Sequence, residues 1–150
     1  MSASGGCQCG AVRFRIEDGG FGSASICHCR MCQKAFGAFY GPLVTVAVEA
    51  LEWTRGAPKT YQSSNVVTRG FCPACGTPLT YQARPSEVEI AIGALDDPTI
   101  APPTSQLSRH TRQPFVDDLA SLPERRGSTP QGMTSYQHPD HDTSEWPPRA

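Results

Sequence analysis

The chain has 150 residues, enough for one domain with a modest core, and only 38% of them are hydrophobic. Glycine and proline, 14 of each, favour turns over long helices. A formal net charge of −1 and the lack of any apolar run of about 18 residues speak against a general nucleic-acid binder and a membrane-spanning chain, and the opening MSASGGCQCG lacks the basic start and apolar stretch of a secretory signal, so a cytoplasmic location is expected.

Residues 11–16, AVRFRI, alternate strictly. Val12, Phe14 and Ile16 face one way and Arg13 and Arg15 the other, as in a half-buried strand. The run DGGFGS that follows is a turn. Next comes ASICHCRMCQKAFG, residues 24–37, with Cys27, Cys29 and Cys32 close together; its RMCQKAF portion predicts a helix of one or two turns. LVTVAVEALEW, residues 43–53, alternates again with Val44, Val46 and Val48 on one face. NVVTRGFCPACGTPLTY, residues 65–81, predicts two short strands around a turn that carries Cys72 and Cys75. In EVEIAIGAL, residues 87–95, Val88, Ile90 and Ile92 point inward and Glu87 and Glu89 outward. No segment sustains a helical period, so the domain is expected to be mainly β. From residue 127 onward the composition turns polar, proline-rich and aperiodic. The reading is one folded domain over residues 1–126 and a flexible tail over 127–150.

Seven cysteines cannot all pair, and a reducing compartment disfavours disulfides. Metal binding is the leading reading. Cys72-Pro-Ala-Cys75-Gly is a C-x2-C turn that lets two thiolates converge on one ion, with the glycine permitting the tight turn. Cys7-Gln-Cys9-Gly, just before the first predicted strand, supplies the other half. The four thiolates make the closed tetrahedral set of a structural zinc, tying the N-terminal strand to a distant hairpin. The competing reading leaves Cys7 and Cys9 as ordinary residues near a frayed terminus. Cys27, Cys29 and Cys32 then remain. Three ligands are an incomplete tetrahedron, and catalytic zinc keeps its fourth position for water or substrate. All-sulfur ligands without cluster spacing favour zinc. On an extended backbone His28 points away from Cys27 and Cys29, and it ligates only if the backbone bends. The bland alternative is a non-catalytic zinc module in which both metals are structural, the second completed by His110, His138 or His141. A redox or metal-sensing use of exposed thiolates is a further option.

The segments GGCQCGAVRF, CHCRMCQKAFGA, RGFCPACGTPL and IAIGALDDP, in that order, resemble the glutathione-dependent formaldehyde-activating enzyme family, also called the GFA or centromere-protein-V domain family. The resemblance spans roughly residues 5 to 123. It implies an Mss4-like β-tent of small antiparallel sheets held by zinc, with short helical turns. It implies a structural zinc on Cys7, Cys9, Cys72 and Cys75 and a catalytic zinc on Cys27, Cys29 and Cys32. The implied activity is that of a carbon–sulfur lyase joining formaldehyde to glutathione as S-hydroxymethylglutathione. One departure is Phe115, in RQPFVDDLASLP, where the family often has a tryptophan.

The expected partners are a small thiol and a small aldehyde, with no nucleic acid and no membrane; a homodimer is compatible with the sequence. A glutathione-like thiol carries two carboxylates, so its site should contain Arg or Lys. Arg30 and Lys34 beside the triplet, and Arg69 before Cys72, are the candidates. Phe36, Phe39 and Tyr40 follow the triplet, either as core or as a pocket wall. No Asp, Glu or His stands out as a general base. Three thiolates and Zn²⁺ sum to −1, which disfavours a fourth thiolate and is an objection to tight thiol binding.

Overall fold

A computed structural model describes residues 2–144. Among these residues the chain is mainly β, as expected. Its strands are β1 (Ala3–Gly6), β2 (Arg13–Ile16), β3 (Phe21–Cys27), β4 (Gly41–Ala47), β5 (Leu51–Arg55), β6 (Lys59–Gln62), β7 (Thr68–Phe71), β8 (Pro78–Arg84), β9 (Glu87–Ala91) and β10 (Ser105–Leu107). One α-helix, α1 (Arg30–Phe36), follows the cysteine triplet, as the RMCQKAF segment predicts. Short 3-10 turns complete the fold, the longest over Pro114–Ser121. No helix among the described residues is long and apolar enough to cross a membrane.

The strands form two sheets. β1, β2 and β5 make a small one; β10-β3-β4-β9-β8-β7-β6 make a large one. Pairing is antiparallel except that β10 runs parallel to β3. The alternation of AVRFRI and EVEIAIGAL is what builds the core between the sheets. Val12, Phe14 and Ile16 from the small sheet bury against Val44, Val46, Val88 and Ile90 from the large one. Phe14 meets Trp53 edge-on at 5.8 Å between ring centroids. Each such buried side chain contributes about 1.5–3 kcal/mol.

Two expectations are corrected. The run from 43 to 53 is not one strand: it breaks at a 3-10 turn over Val48–Ala50 and changes sheet, β4 belonging to the large one and β5 to the small one. Val48 is therefore exposed rather than sharing the inner face of Val44 and Val46. Arg13, expected on the solvent side, is buried. It forms a fork with Asp96 (2.7 and 2.5 Å) and also reaches Asp142 at 2.8 Å. Alternation sorts apolar from polar, but it does not register that two carboxylates from distant segments can bury a guanidinium.

Residue 142 lies in the proline-rich C-terminal segment. Its described part has no helix or strand, yet residues 137–143 rest on the domain. His138 is buried, its backbone N–H donates to the Gln8 carbonyl at 2.7 Å, and its ring covers Gly10. Arg55 donates to the Gly10 carbonyl at 3.1 Å and to the Thr143 carbonyl at 2.5 Å.

Candidate functional site

Seven free cysteines form two groups. In the first, Cys7 and Cys9 lie in the β1–β2 turn, and Cys72 and Cys75 in the β7–β8 turn. The two turns have the same construction. Gly10 N–H donates to the Cys7 carbonyl at 3.0 Å, and Gly76 N–H to the Cys72 carbonyl at 2.9 Å. Both glycines have positive φ, 76° and 80°, which a side chain would strain. Backbone N–H groups point at sulfur in each turn: Val12 to Cys7 Sγ at 3.3 Å, Ala74 to Cys72 Sγ at 3.4 Å. Gln8 N–H donates to Thr77 Oγ1 at 3.0 Å and stitches one turn to the other.

All four sulfurs lie within 4.8 Å of one another. Cys9 Sγ is 3.7 Å from Cys7 Sγ and 3.9 Å from Cys72 Sγ. A tetrahedron with metal–sulfur bonds of about 2.3 Å has edges of roughly 3.8 Å, so a zinc-sized ion fits this cage. Two of the thiols are pulled in opposite directions. Burial, reinforced by Cys72 and Cys9, pushes Cys7 up to about 12. Burial opposes ionisation of Cys75 too, but Thr77 and backbone N–H groups hold it at about 6. A cation that allows all four to be thiolates releases protons on binding and ties the small sheet to the large one.

The second group is Cys27, Cys29 and Cys32, again with sulfurs within 4.8 Å of one another. Cys27 ends β3, Cys29 caps α1, and Cys32 lies in its first turn. Cys32 N–H donates to Cys29 Sγ at 3.4 Å. Burial works against Cys29, yet that N–H and the neighbouring thiols keep it below the ordinary thiol value. Burial pushes Cys32 up to about 12, against the lowering effect of Arg69. Cys27 and Cys29 are partly exposed, and among the described residues no further Cys, His, Asp or Glu joins the group. Gly41, opposite Cys27 on β4, makes the close packing feasible: a Cβ there would lie 2.9 Å from the Phe36 ring and 3.1 Å from Cys32 Cβ.

His28 is not part of the group. It is fully buried on the other side, Nε2 lying 3.0 Å from Gln106 Oε1 and the ring meeting Tyr40 edge-on at 5.7 Å. An amide oxygen only accepts, so Nε2 carries the proton and Nδ1 is left without a partner among the described residues. The triplet loop is braced from β10 and the turn after it. His28 N–H donates to the Leu107 carbonyl at 3.0 Å, and Gln33 Nε2 donates to the carbonyls of His28 at 2.6 Å and Thr111 at 3.2 Å. His110 and His141 join neither group, and neither does His138 beside Gly10.

The three cationic candidates separate. Arg30 is exposed, with Nη1 donating to Gln33 Oε1 at 2.5 Å, and Lys34 is exposed in the last turn of α1. Arg69 is buried against Cys32. A cavity of about 380 Å³ beside it is lined by Phe36, Tyr61, Arg69, Phe71 and Thr80, among others. Phe36 thus serves as wall; Phe39 instead packs edge-on against Phe115 at 5.0 Å. Sequence reading missed Glu89. It is half-buried as the cross-strand neighbour of both Thr45 and Tyr81, and burial raises its carboxyl above the ordinary value. The only sequence signal was an outward position on an alternating strand, which thousands of solvated glutamates share.

A family model described as glutathione-dependent formaldehyde-activating enzyme (GFA) matches residues 2–110, a span that contains all seven cysteines. A crystal structure of a Rhodobacter sphaeroides protein, a structural-genomics target, is similar in fold, with a TM-score of 0.56 and 27% identity over 69% of this chain and 98% of that one. No curated protein matches.

Proposed function

The chain belongs to the glutathione-dependent formaldehyde-activating enzyme family, and from that premise we propose that it is a zinc-dependent carbon–sulfur lyase. Its reaction adds a small thiol, glutathione or a relative, to formaldehyde or a related small aldehyde at Cys27, Cys29 and Cys32. One observation carries this reading: three convergent cysteines, two of them partly exposed, that no fourth protein ligand completes among the described residues. Zinc held there supplies a cation with one free position, able to stabilise a thiolate or polarise a carbonyl oxygen. Cys7, Cys9, Cys72 and Cys75 would hold a second zinc whose role is structural.

The chain's own residues prepare the site. The Cys32 N–H fixes Cys29, and the Gln33 and Thr111 bonds fix the loop, so the three sulfurs are preorganised rather than gathered by the ion. Phe36, Tyr61 and Phe71 line the cavity beside Arg69, whose guanidinium reaches Cys32. Arg30 and Lys34, exposed on α1, suit the carboxylates of a glutathione-like thiol. The addition is redox-neutral: the S–H bond breaks, a C–S bond forms, and the proton ends on the former carbonyl oxygen. No acid or base is consumed, so a transient proton carrier suffices.

Exchange spectroscopy on an equilibrated glutathione–formaldehyde mixture tests this reading. The wild type should accelerate exchange between free thiol and hydroxymethyl adduct, and Cys29→Ser should abolish the acceleration. An unaccelerated mixture removes the reaction from this chain while leaving the fold and the family in place.

A further inference from the structure

Arg69 is the most deeply buried of the three cationic candidates, and two of its nitrogens are engaged within the fold. Nη2 donates to Cys32 Sγ at 3.3 Å, and Nε to Ser63 Oγ at 3.0 Å. The guanidinium lies over the Tyr81 ring, 4.8 Å from its centroid. The residue is only 4% exposed. Among the described residues no carboxylate pairs with it within 4.0 Å; Glu89, across the strand from Tyr81, acts on it from farther away. Arginine stays charged, and a charge withdrawn from water without a counter-charge is strongly destabilising. The group its geometry offers is the sulfur of Cys32, which would be an anion as a metal ligand.

We propose that Arg69 is a positioning residue of the triplet, whose guanidinium offsets the thiolate charge and thereby lets an anionic sulfur, and not only a neutral molecule, take the fourth position. The inference rests on the open-site reading above. The charge arithmetic is direct. Three thiolates with a divalent ion sum to −1, and a fourth thiolate brings −2; with Arg69 the two states are 0 and −1. The electrostatic objection to thiol binding that composition raises is met by one side chain that the fold carries in from β7. Lysine would keep the charge but lose part of its placement, because a single ammonium cannot serve Ser63 and Cys32 from the two edges of a plane while stacking on Tyr81. With Nε and Nη2 committed inside the fold, the substrate carboxylates fall to exposed groups such as Arg30 and Lys34.

The test separates charge from scaffold. The protein is loaded with cobalt(II) in place of zinc, and the visible spectrum follows titration with 2-mercaptoethanol, which binds as thiolate, or with imidazole, which binds neutral. Arg69→Met should weaken the thiol roughly tenfold or more, as expected for one nearby charge in a partly desolvated site, and leave imidazole within about twofold. Arg69→Lys should recover much of the loss. Cobalt content and far-ultraviolet circular dichroism report the fold; if Arg69→Met does not fold, Arg69→Lys against Arg69→Gln makes the same comparison. Equal losses for both ligands, or none for either, overturn the role assigned to Arg69. A wild type that binds neither ligand at the triplet instead overturns the open-site reading, and this inference with it.

Discussion

The two cysteine clusters use the same element for opposite ends. The four-cysteine cage draws its ligands from turns in two different sheets, and three of its members are buried. The triplet comes from one strand end and the first turn of one helix, and two of its members are partly exposed. A closed set built across sheets ties together turns distant in sequence, adding to the core that already packs between those sheets. An unfinished set built within one loop joins almost nothing distant, so an ion there adds little to the fold and has a position to spare. On the proposed reading, ligand count and ligand provenance together separate a structural metal from a working one.

Substitutions can break that contrast. Cys9→Ser should have the largest effect. Structural zinc in small domains is worth about 10–16 kcal/mol in apparent binding free energy, comparable to the whole stability of a domain, so the chain should lose its cooperative thermal transition. A folded Cys9→Ser protein with full metal content would contradict the cage. Cys29→Ser should abolish activity with the fold kept, and metal content should drop from about two ions per chain to about one. Unfolding of that variant would erase the distinction between the clusters.

Asp96→Asn comes next. Asp96 is partly buried, which alone would raise its pKa, but the Arg13 fork and Ser4 hold it below the ordinary carboxylate value. A depressed folded pKa gives stability that is present above about pH 4 and lost as pH falls through the folded value. The wild type should therefore lose stability on acidification below about pH 4. Asp96→Asn should cost about 3 kcal/mol at neutral pH and flatten that acid limb, as read by urea melts across pH. Removal of residues 127–150 should be mildest: the domain over 1–126 should fold and keep its activity, losing about 1–2 kcal/mol with the Asp142 and His138 contacts. It should also release metal from the cage faster than the full chain does, with release from the triplet unchanged, since His138 covers Gly10 beside Cys9. Unchanged release rates would leave the C-terminal segment without a part in the comparison.

Much of the site was legible because metal ligation is local and countable. C-x2-C and C-x-C spacings, an odd total and a leftover of three lead from residues to two clusters before any fold is known. His28 was legible too, because two cysteines one position apart on extended backbone share a side and the residue between them does not. The fold class followed from alternation, and the helix from a short segment after Cys29. What escaped depends on partners far away in sequence. Arg13 becomes interior only because Asp96 and Asp142 converge on it. Val48 leaves the core because the chain changes sheets there, a tertiary event that period-two patterning does not encode. β3 was partly hidden in DGGFGS, whose glycines read as turn although pairing with β4 makes residues 21–23 strand. Arg69 was singled out from its neighbour Cys72, but its working contact is Cys32, reached only once β7 lies beside α1.

Graded chelation tests the division of labour most directly. Wild-type protein, loaded with zinc and expected to carry about two ions per chain, is exposed to increasing chelator while metal content, activity and circular dichroism are read on the same samples. The expected result is two phases: the first ion leaves with all of the activity and none of the fold, and the second leaves with the fold. A single phase in which activity, metal and structure vanish together would contradict it.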